Sequence, residues 1–172
     1  MRPTAGSYPA YFHTYVKLVA DRDLRSLWPE QKELAEKFFS RITEEESLYR
    51  YAEDKWTIRE VLQHIIDTER VFCYRALSIA RKHATTLPSF DENTFAQHAH
   101  ANDRNWHSLV HELCTVRSAT EALFSSFNDE QYNASGAVSD YEVSVLALGY
   151  IIAGHLYHHL HIIRERYLDV NV

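Results

Sequence analysis

Apolar residues recur along most of the chain at the three- and four-residue spacing of helices that bury one face. Tyr8, Tyr11, Phe12 and Tyr15 set a short leading helix over Tyr8 to Val19, which ends at Asp21-Arg22-Asp23. Leu27, Leu34, Phe38 and Ile42 mark one stripe of a first long helix from about Leu24 to Ile42, where Pro29 is tolerable because it falls in the opening turns. A charged loop, Thr43 to Asp54, follows. Thr57-Ile58-Arg59-Glu60 then reads as a capping box, its hydroxyl and carboxylate each taking up a free amide, and opens a second long helix reaching about Lys82. A third is expected over Asn105 to Phe127, then a polar loop from Asn128 to Tyr141, then a fourth from Glu142 or Ser144 to Tyr167.

The pattern breaks between Lys82 and about Asp103, where Leu87 to Asp91 is extended and Asp91 can cap a short helix. Antiparallel neighbours in bundles need only ~2 to 8 linking residues, so so long a connection permits the third long helix to run parallel to the second. With 4 Gly and 4 Pro there are too few turn residues for a β-sandwich, and 45% hydrophobic residues exclude a disordered chain. The expected fold class is all-α, a single domain over residues 1–172. A net charge of −6 without a dense Lys/Arg run argues against nucleic acid as partner. Cys73 and Cys114 lack CxxC spacing and read as buried thiols of a reducing compartment; no apolar leader precedes them, so a cytoplasmic location is expected. Val143 to Ile163 carries no Asp, Glu, Lys or Arg, yet His155, His158, His159 and His161 crowd its end and Arg164-Glu165-Arg166 follow. Those side chains are costly in hydrocarbon, so the segment reads as a buried helix and not a membrane span.

Eleven histidines are the unusual feature of the composition. Two pairs have the i,i+4 spacing that places side chains together on a helix, and at about 100° per residue their faces differ. His107 and His111 lie opposite the arc of Leu109, Leu113, Val116, Leu123 and Phe127 and should be solvated. His155 and His159 lie inside the arc of Leu148, Ile151, Ile152, Leu156, Ile162 and Ile163, and His64 lies inside that of Val61, Ile65, Thr68, Val71, Phe72 and Ile79. Three imidazoles thus face one interior. Each needs partners for both nitrogens, which a divalent metal would supply on one side and hydrogen-bond acceptors on the other. His158 is a lesser candidate, His161 faces away, and His13, His83, His98 and His100 read as surface residues.

The run Trp56-Thr57-Ile58-Arg59-Glu60-Val61-Leu62-Gln63-His64-Ile65-Ile66-Asp67-Thr68-Glu69-Arg70, with Tyr74-Arg75, Pro88-Ser89-Phe90-Asp91, Ile152-Ala153-Gly154-His155 and His158-His159, resembles the DinB/YfiT-like superfamily of metalloenzymes over nearly the whole chain. The resemblance implies a four-helix bundle with up-down-down-up connectivity and a metal held by one histidine of the second helix and a pair of the fourth, here His64, His155 and His159. It also implies thiol-dependent chemistry, in which a low-molecular-weight thiol such as bacillithiol or mycothiol is joined to an electrophile or used in an isomerisation. Three histidine ligands leave coordination positions open, as catalytic zinc sites do; zinc or nickel is expected first, and iron(II) suits the same ligands.

Other roles follow from position. Asp67, one turn after His64, could accept a hydrogen bond from a ligand ring or act as a base, whereas Glu60 is already explained by capping. Arg70 falls off the His64 face and Arg75 lies some three turns away, so neither is taken as a site residue. Three functions stand: a metal-dependent transferase using a small thiol, a metal-dependent hydrolase or metalloprotein of other activity, and a metal-free helical interaction protein. The expected partner is a small-molecule substrate, with a homodimer left open.

Overall fold

A computed structural model describes residues 1–19, 21–83 and 85–168. Every α-helix after the short first one begins where a side chain can take up a free amide of its first turn. Asp23 accepts from Arg25 N at the start of α2 (Leu24–Phe39), which follows a 3₁₀ turn, Ala10–Phe12, and the short α1 (His13–Val16). Thr57 and Glu60 form the expected capping box of α3 (Ile58–Ala80). Asp91 caps α4 (Glu92–His98), Asn105 caps α5 (Trp106–Ser125), and Ser144 caps α7 (Val145–Ile163), which runs on into a π-helical turn, Arg164–Leu168. Caps of this kind contribute about 1 kcal/mol each.

Side-chain pairs between helices give their directions. Arg70 pairs with Glu112, Glu69 with Arg117, and Cys73 meets Thr120, so positions on α3 and α5 rise together and the two run parallel. Trp28 packs on Phe124, and Trp106 Nε1 donates to the Phe39 carbonyl, so α2 and α5 are antiparallel. His64 faces His155 while the Tyr167 hydroxyl donates to the Trp56 carbonyl, which makes α7 antiparallel to α3. Gly149 packs against Leu24, and Gln31 donates to the Ala153 carbonyl, which makes α7 parallel to α2. The result is an up-down-down-up four-helix bundle, as expected, in which α2 and α3 each pack against both α5 and α7. The long crossover between α3 and α5 holds α4 and a 3₁₀ turn, Ala101–Asp103, and its end is fixed by the buried Arg59, which donates to Ser47 Oγ and to the Asn102 carbonyl and pairs with Glu44.

Two local expectations are corrected. The buried face of α2 is Leu24, Leu27, Trp28, Gln31, Ala35 and Phe39, with Leu34 and Phe38 only partly covered. The apolar stripe misled because Gln31 occupies a core position. The stretch from Asn128 to Tyr141 is more ordered than a polar loop: Asn128 and Gln131 cap α6 (Asp129–Asn133), and β1 (Ser135–Val138) pairs antiparallel with β2 (Tyr141–Ser144). Val138 and Val143 are buried on this hairpin, and Leu87 of the crossover bridges to Val138. Among the described residues no helix is long and apolar enough to cross a membrane.

The apolar core divides into two halves along the bundle, one around Trp28, Phe72, Phe124 and Ile151, the other around Phe39, Ile65, Leu109 and Leu156. On every long helix the residues at the boundary are polar and buried: Gln31, Thr68 and Glu69, Arg117 and Thr120, and His155. α1 lies across α7 at this level, so close that a Cβ on Gly154 would stand 2.0 Å from the Tyr15 carbonyl oxygen. Gly154→Ala should therefore push α1 off α7, costing about 1 to 3 kcal/mol as overpacking does. Urea unfolding measures this, and an unchanged midpoint would show that α1 is held elsewhere.

Candidate metal centre

α3 delivers His64, and α7 delivers His155 and, one turn on, His159 from the facing side of the bundle. His155 Nε2 lies 3.1 Å from His64 Nε2 and 3.0 Å from His159 Nε2, and donor atoms of all three rings lie within 4.8 Å of one another. His64 and His155 are buried. A neutral imidazole nitrogen carries either one proton or one lone pair, so His155 Nε2 can satisfy only one of its two Nε2 neighbours by a hydrogen bond. An ion at the centre would take all three lone pairs. With metal–nitrogen bonds of about 2.0 to 2.1 Å, two donors to one ion stand about 2.9 Å apart at right angles and about 3.4 Å at the tetrahedral angle. The observed separations fall between these, so the donor set fits a divalent metal.

The surroundings hold the rings in place. Thr68 Oγ1 lies 3.4 Å from His64 Nδ1, on the side away from the cluster. The Trp56 ring packs on His64 and the Tyr15 ring stands edge-on to His155, with centroids 5.0 and 5.2 Å away. Burial, and after it the charges of neighbouring rings, hold His64 down to about 4 and His155 and His159 well below the ordinary imidazole range. All three are therefore neutral near pH 7, with lone pairs free for a metal.

These depressed values fix a sign. The unfolded chain binds protons near pH 6.5 that the folded metal-free protein refuses, so the stabilisation is complete above about 6.5 and is lost as pH falls towards 4 and below. Metal-free protein should lose about 1.4 kcal/mol per pH unit for each proton taken up on unfolding. Urea titrations at pH 7.5 and 5 test this against His155→Leu/His159→Leu, whose slope should be shallower; equal slopes would place the acid sensitivity elsewhere.

The remaining candidates separate clearly. Glu60 Oε2 accepts from Thr57 N and is used as a cap. Asp67 accepts from Gln63 Nε2 and lies 3.8 Å from Arg70, in a network with Arg104 and Glu112 at the α3–α5 seam. Thr68, and not Asp67, is the residue beside the His64 ring; its i+4 spacing from His64 was the available signal. His158 is half-buried against Tyr15 and His159 and outside the convergent set. His107, His111 and His161 are exposed, as are His13, His83, His98 and His100. Cys73 is pushed up to about 12 by burial and lies against Thr120 Oγ1, and burial also raises Cys114. A cleft of about 350 Å³ opens beside His64 and His155, lined by Thr68, Phe72, Tyr15 and Glu92 and, contrary to the reading of the sequence, by Arg75.

Comparison with known proteins agrees with this arrangement. The profile of the DinB superfamily matches residues 29–163, most of the chain and all three histidines. The chain belongs to the DinB superfamily. No curated protein matches this DinB chain in sequence. Among solved structures it is similar to YfiT from Bacillus subtilis, described as a probable metal-dependent hydrolase with an unusual four-helix bundle topology, with a TM-score of 0.67 and 15% identity over 96% of this chain and 90% of that one. It is similar also to the mycothiol-dependent maleylpyruvate isomerase, with a TM-score of 0.67 and 12% identity over 87% of this chain. The DinB chain spans 61% of the length of that isomerase. At these identities the likeness is one of fold.

Proposed function

We propose that this protein is a metal-dependent enzyme in which His64, His155 and His159 hold zinc, nickel or iron(II) and a low-molecular-weight thiol is activated for transfer or isomerisation. The observation that carries the reading is a cluster of three neutral imidazoles beside an open cleft, with no carboxylate hydrogen-bonded to any of the three rings among the described residues. A divalent ion there would favour the thiolate form of a thiol whose free pKa is about 8.5, and thiolate is the nucleophile. The chain's own groups do the rest. Thr68 orients the His64 ring, Tyr15 and Trp56 shield the rings from water, and Phe72 gives the cleft an apolar wall. Neither Cys73 nor Cys114 is suited to be the nucleophile, since both thiols are held protonated by burial. The mycothiol dependence of a protein of similar fold supports the choice of thiol.

Elemental analysis of protein purified without a His tag should find about one divalent ion per chain. Conjugation of small thiols to a chlorinated aromatic should then require that ion and survive Cys73→Ala/Cys114→Ala. Activity surviving chelation, or lost in the cysteine variant with metal intact, overturns the proposal.

The description of YfiT favours a second reading, hydrolysis. Activating water calls for a base near the cluster, and Glu92 is the carboxylate lining the cleft among the described residues. Glu92→Gln should leave thiol transfer within a fewfold of the parent. A hundredfold loss of an esterase or amidase activity in that variant would instead favour hydrolysis.

A further inference from the structure

Among the described residues Arg75 is a buried cation without an anion. Its residue exposure is 3%, and the hydrogen bond it makes with them runs from Nη2 to the Pro88 carbonyl. No carboxylate pairs with it among the described residues, although Arg59, Arg104 and Arg117, the other arginines at least partly buried, all have one. The guanidinium packs on the rings of Phe72 and Phe90, 5.4 and 5.6 Å from their centroids. Aromatic faces attract a cation but leave its N–H groups without acceptors. Burial of an uncompensated charge is costly, which here lowers the affinity of Arg75 for its proton. Such a group is expected to acquire an acceptor when the site fills.

Its place in the cleft says where that acceptor belongs. Arg75 lines the same cleft as His64 and His155, and the phenols of Tyr11 and Tyr141 lie near enough to interact with its charge. Eleven residues of α3 separate Arg75 from His64, an axial distance of about 16 Å. Helical side chains lean towards the N-terminus, so the guanidinium and the His64 ring both reach back along α3, and the stretch of cleft between them is walled by Phe72 and Thr68. Glu92, the acidic group of the cleft, is exposed at the rim, where water screens it; Arg75 is not so screened.

We infer that Arg75 binds the carboxylate of an elongated, partly apolar substrate whose other end reaches the three histidines. This rests on reading the cleft as the substrate site of the proposed enzyme. The substrate class is thus a carboxylic acid with a ring or short acyl chain between its carboxylate and its reacting atom. Arg75 is a specificity-determining residue, with Tyr11 and Tyr141 as additional donors.

The probes are 3-phenylpropionate and its neutral amide, titrated by NMR into the full chain, both metal-loaded and stripped with a chelator. The carboxylate should bind at least tenfold more tightly than the amide in both forms. Arg75→Met should weaken the carboxylate roughly ten- to a hundredfold and leave the amide unchanged, as expected for a charged hydrogen bond, with Arg75→Lys recovering part. Equal binding of the two probes, or no binding of the carboxylate at millimolar concentration, overturns the inference, and that comparison needs no variant to fold. A preference that vanishes with the metal and survives Arg75→Met would put the carboxylate on the ion and also overturn it. A preference that persists in protein that never takes up metal sustains the Arg75 site while refuting the metal reading, so the two failures are distinguishable.

Discussion

Replacing His155 by alanine should abolish stoichiometric metal binding. His155 Nε2 is the atom shared by both close contacts of the cluster, 3.1 Å from His64 and 3.0 Å from His159, so its removal leaves two donors on opposite helices with nothing between them. Loss of an outer hydrogen-bond partner typically weakens a metal about 10- to 100-fold, and loss of a ligand should exceed that. Thr68→Val, which removes the hydroxyl near His64 Nδ1, should therefore be the milder variant, weakening metal by about tenfold. His107→Ala and His111→Ala remove exposed rings of α5 and should leave metal content at one per chain. Elemental analysis and competition with a chromogenic chelator measure all four. Full metal content in folded His155→Ala would mean that the ion is bound elsewhere and the assignment to this cluster is wrong.

The convergence of His64, His155 and His159 was legible because helical periodicity fixes which face a residue occupies, and all three sit within apolar arcs. The capping box at Thr57 was legible because it is a local interaction closed within four residues. The length of the crossover spoke for parallel α3 and α5, and the pairing of Arg70 with Glu112 and Cys73 with Thr120 agrees. What escaped depended on contacts between distant segments. Gln31 is buried because Arg117 and the Ala153 carbonyl offer it partners from two other helices, so its polarity made the α2 stripe look one residue out of place. Arg75 looked remote at three turns from His64, but the crossover folds Phe90 back against it and closes one cleft around both. The β1–β2 hairpin was hidden because each strand has four residues, too few for alternation to show, and its buried Val138 gains cover from Leu87 of the crossover.

Removing the Glu69 carboxylate should be the most damaging change to stability outside the histidine cluster. Glu69 and Arg117 are paired at 2.9 Å in the layer between the two halves of the core, at side-chain exposures of 2% and 1%. Thr120 donates to the other Glu69 oxygen, Gln31 accepts from Arg117 Nη2, and the guanidinium lies 5.1 Å from the Trp28 ring centroid. Among the described residues Arg117 Nε has no acceptor even so. Glu69→Ala would leave a full positive charge in this layer with one amide oxygen for company, a loss of about 3 to 5 kcal/mol. For a chain of this size each kcal/mol corresponds to about 2 to 4 °C, so Tm should fall by roughly 6 to 20 °C. Arg117→Met alone strands the opposite charge, although Glu69 keeps the hydrogen bond it accepts from Thr120, so its loss should be smaller. The double variant Glu69→Leu/Arg117→Met removes both charges and should recover most of the stability, because desolvating an ion pair offsets much of its attraction. The layer also reaches the three-histidine cluster, since Gln31 donates 2.8 Å to the carbonyl of Ala153, two residues before His155. Glu69→Ala should therefore loosen metal binding as well, and the double variant, which leaves Gln31 free to keep that bond, should restore it. Thermal melts and metal titrations on the three variants decide the matter: a Tm loss under about 3 °C for Glu69→Ala would show that the layer is hydrated and the charge never truly buried.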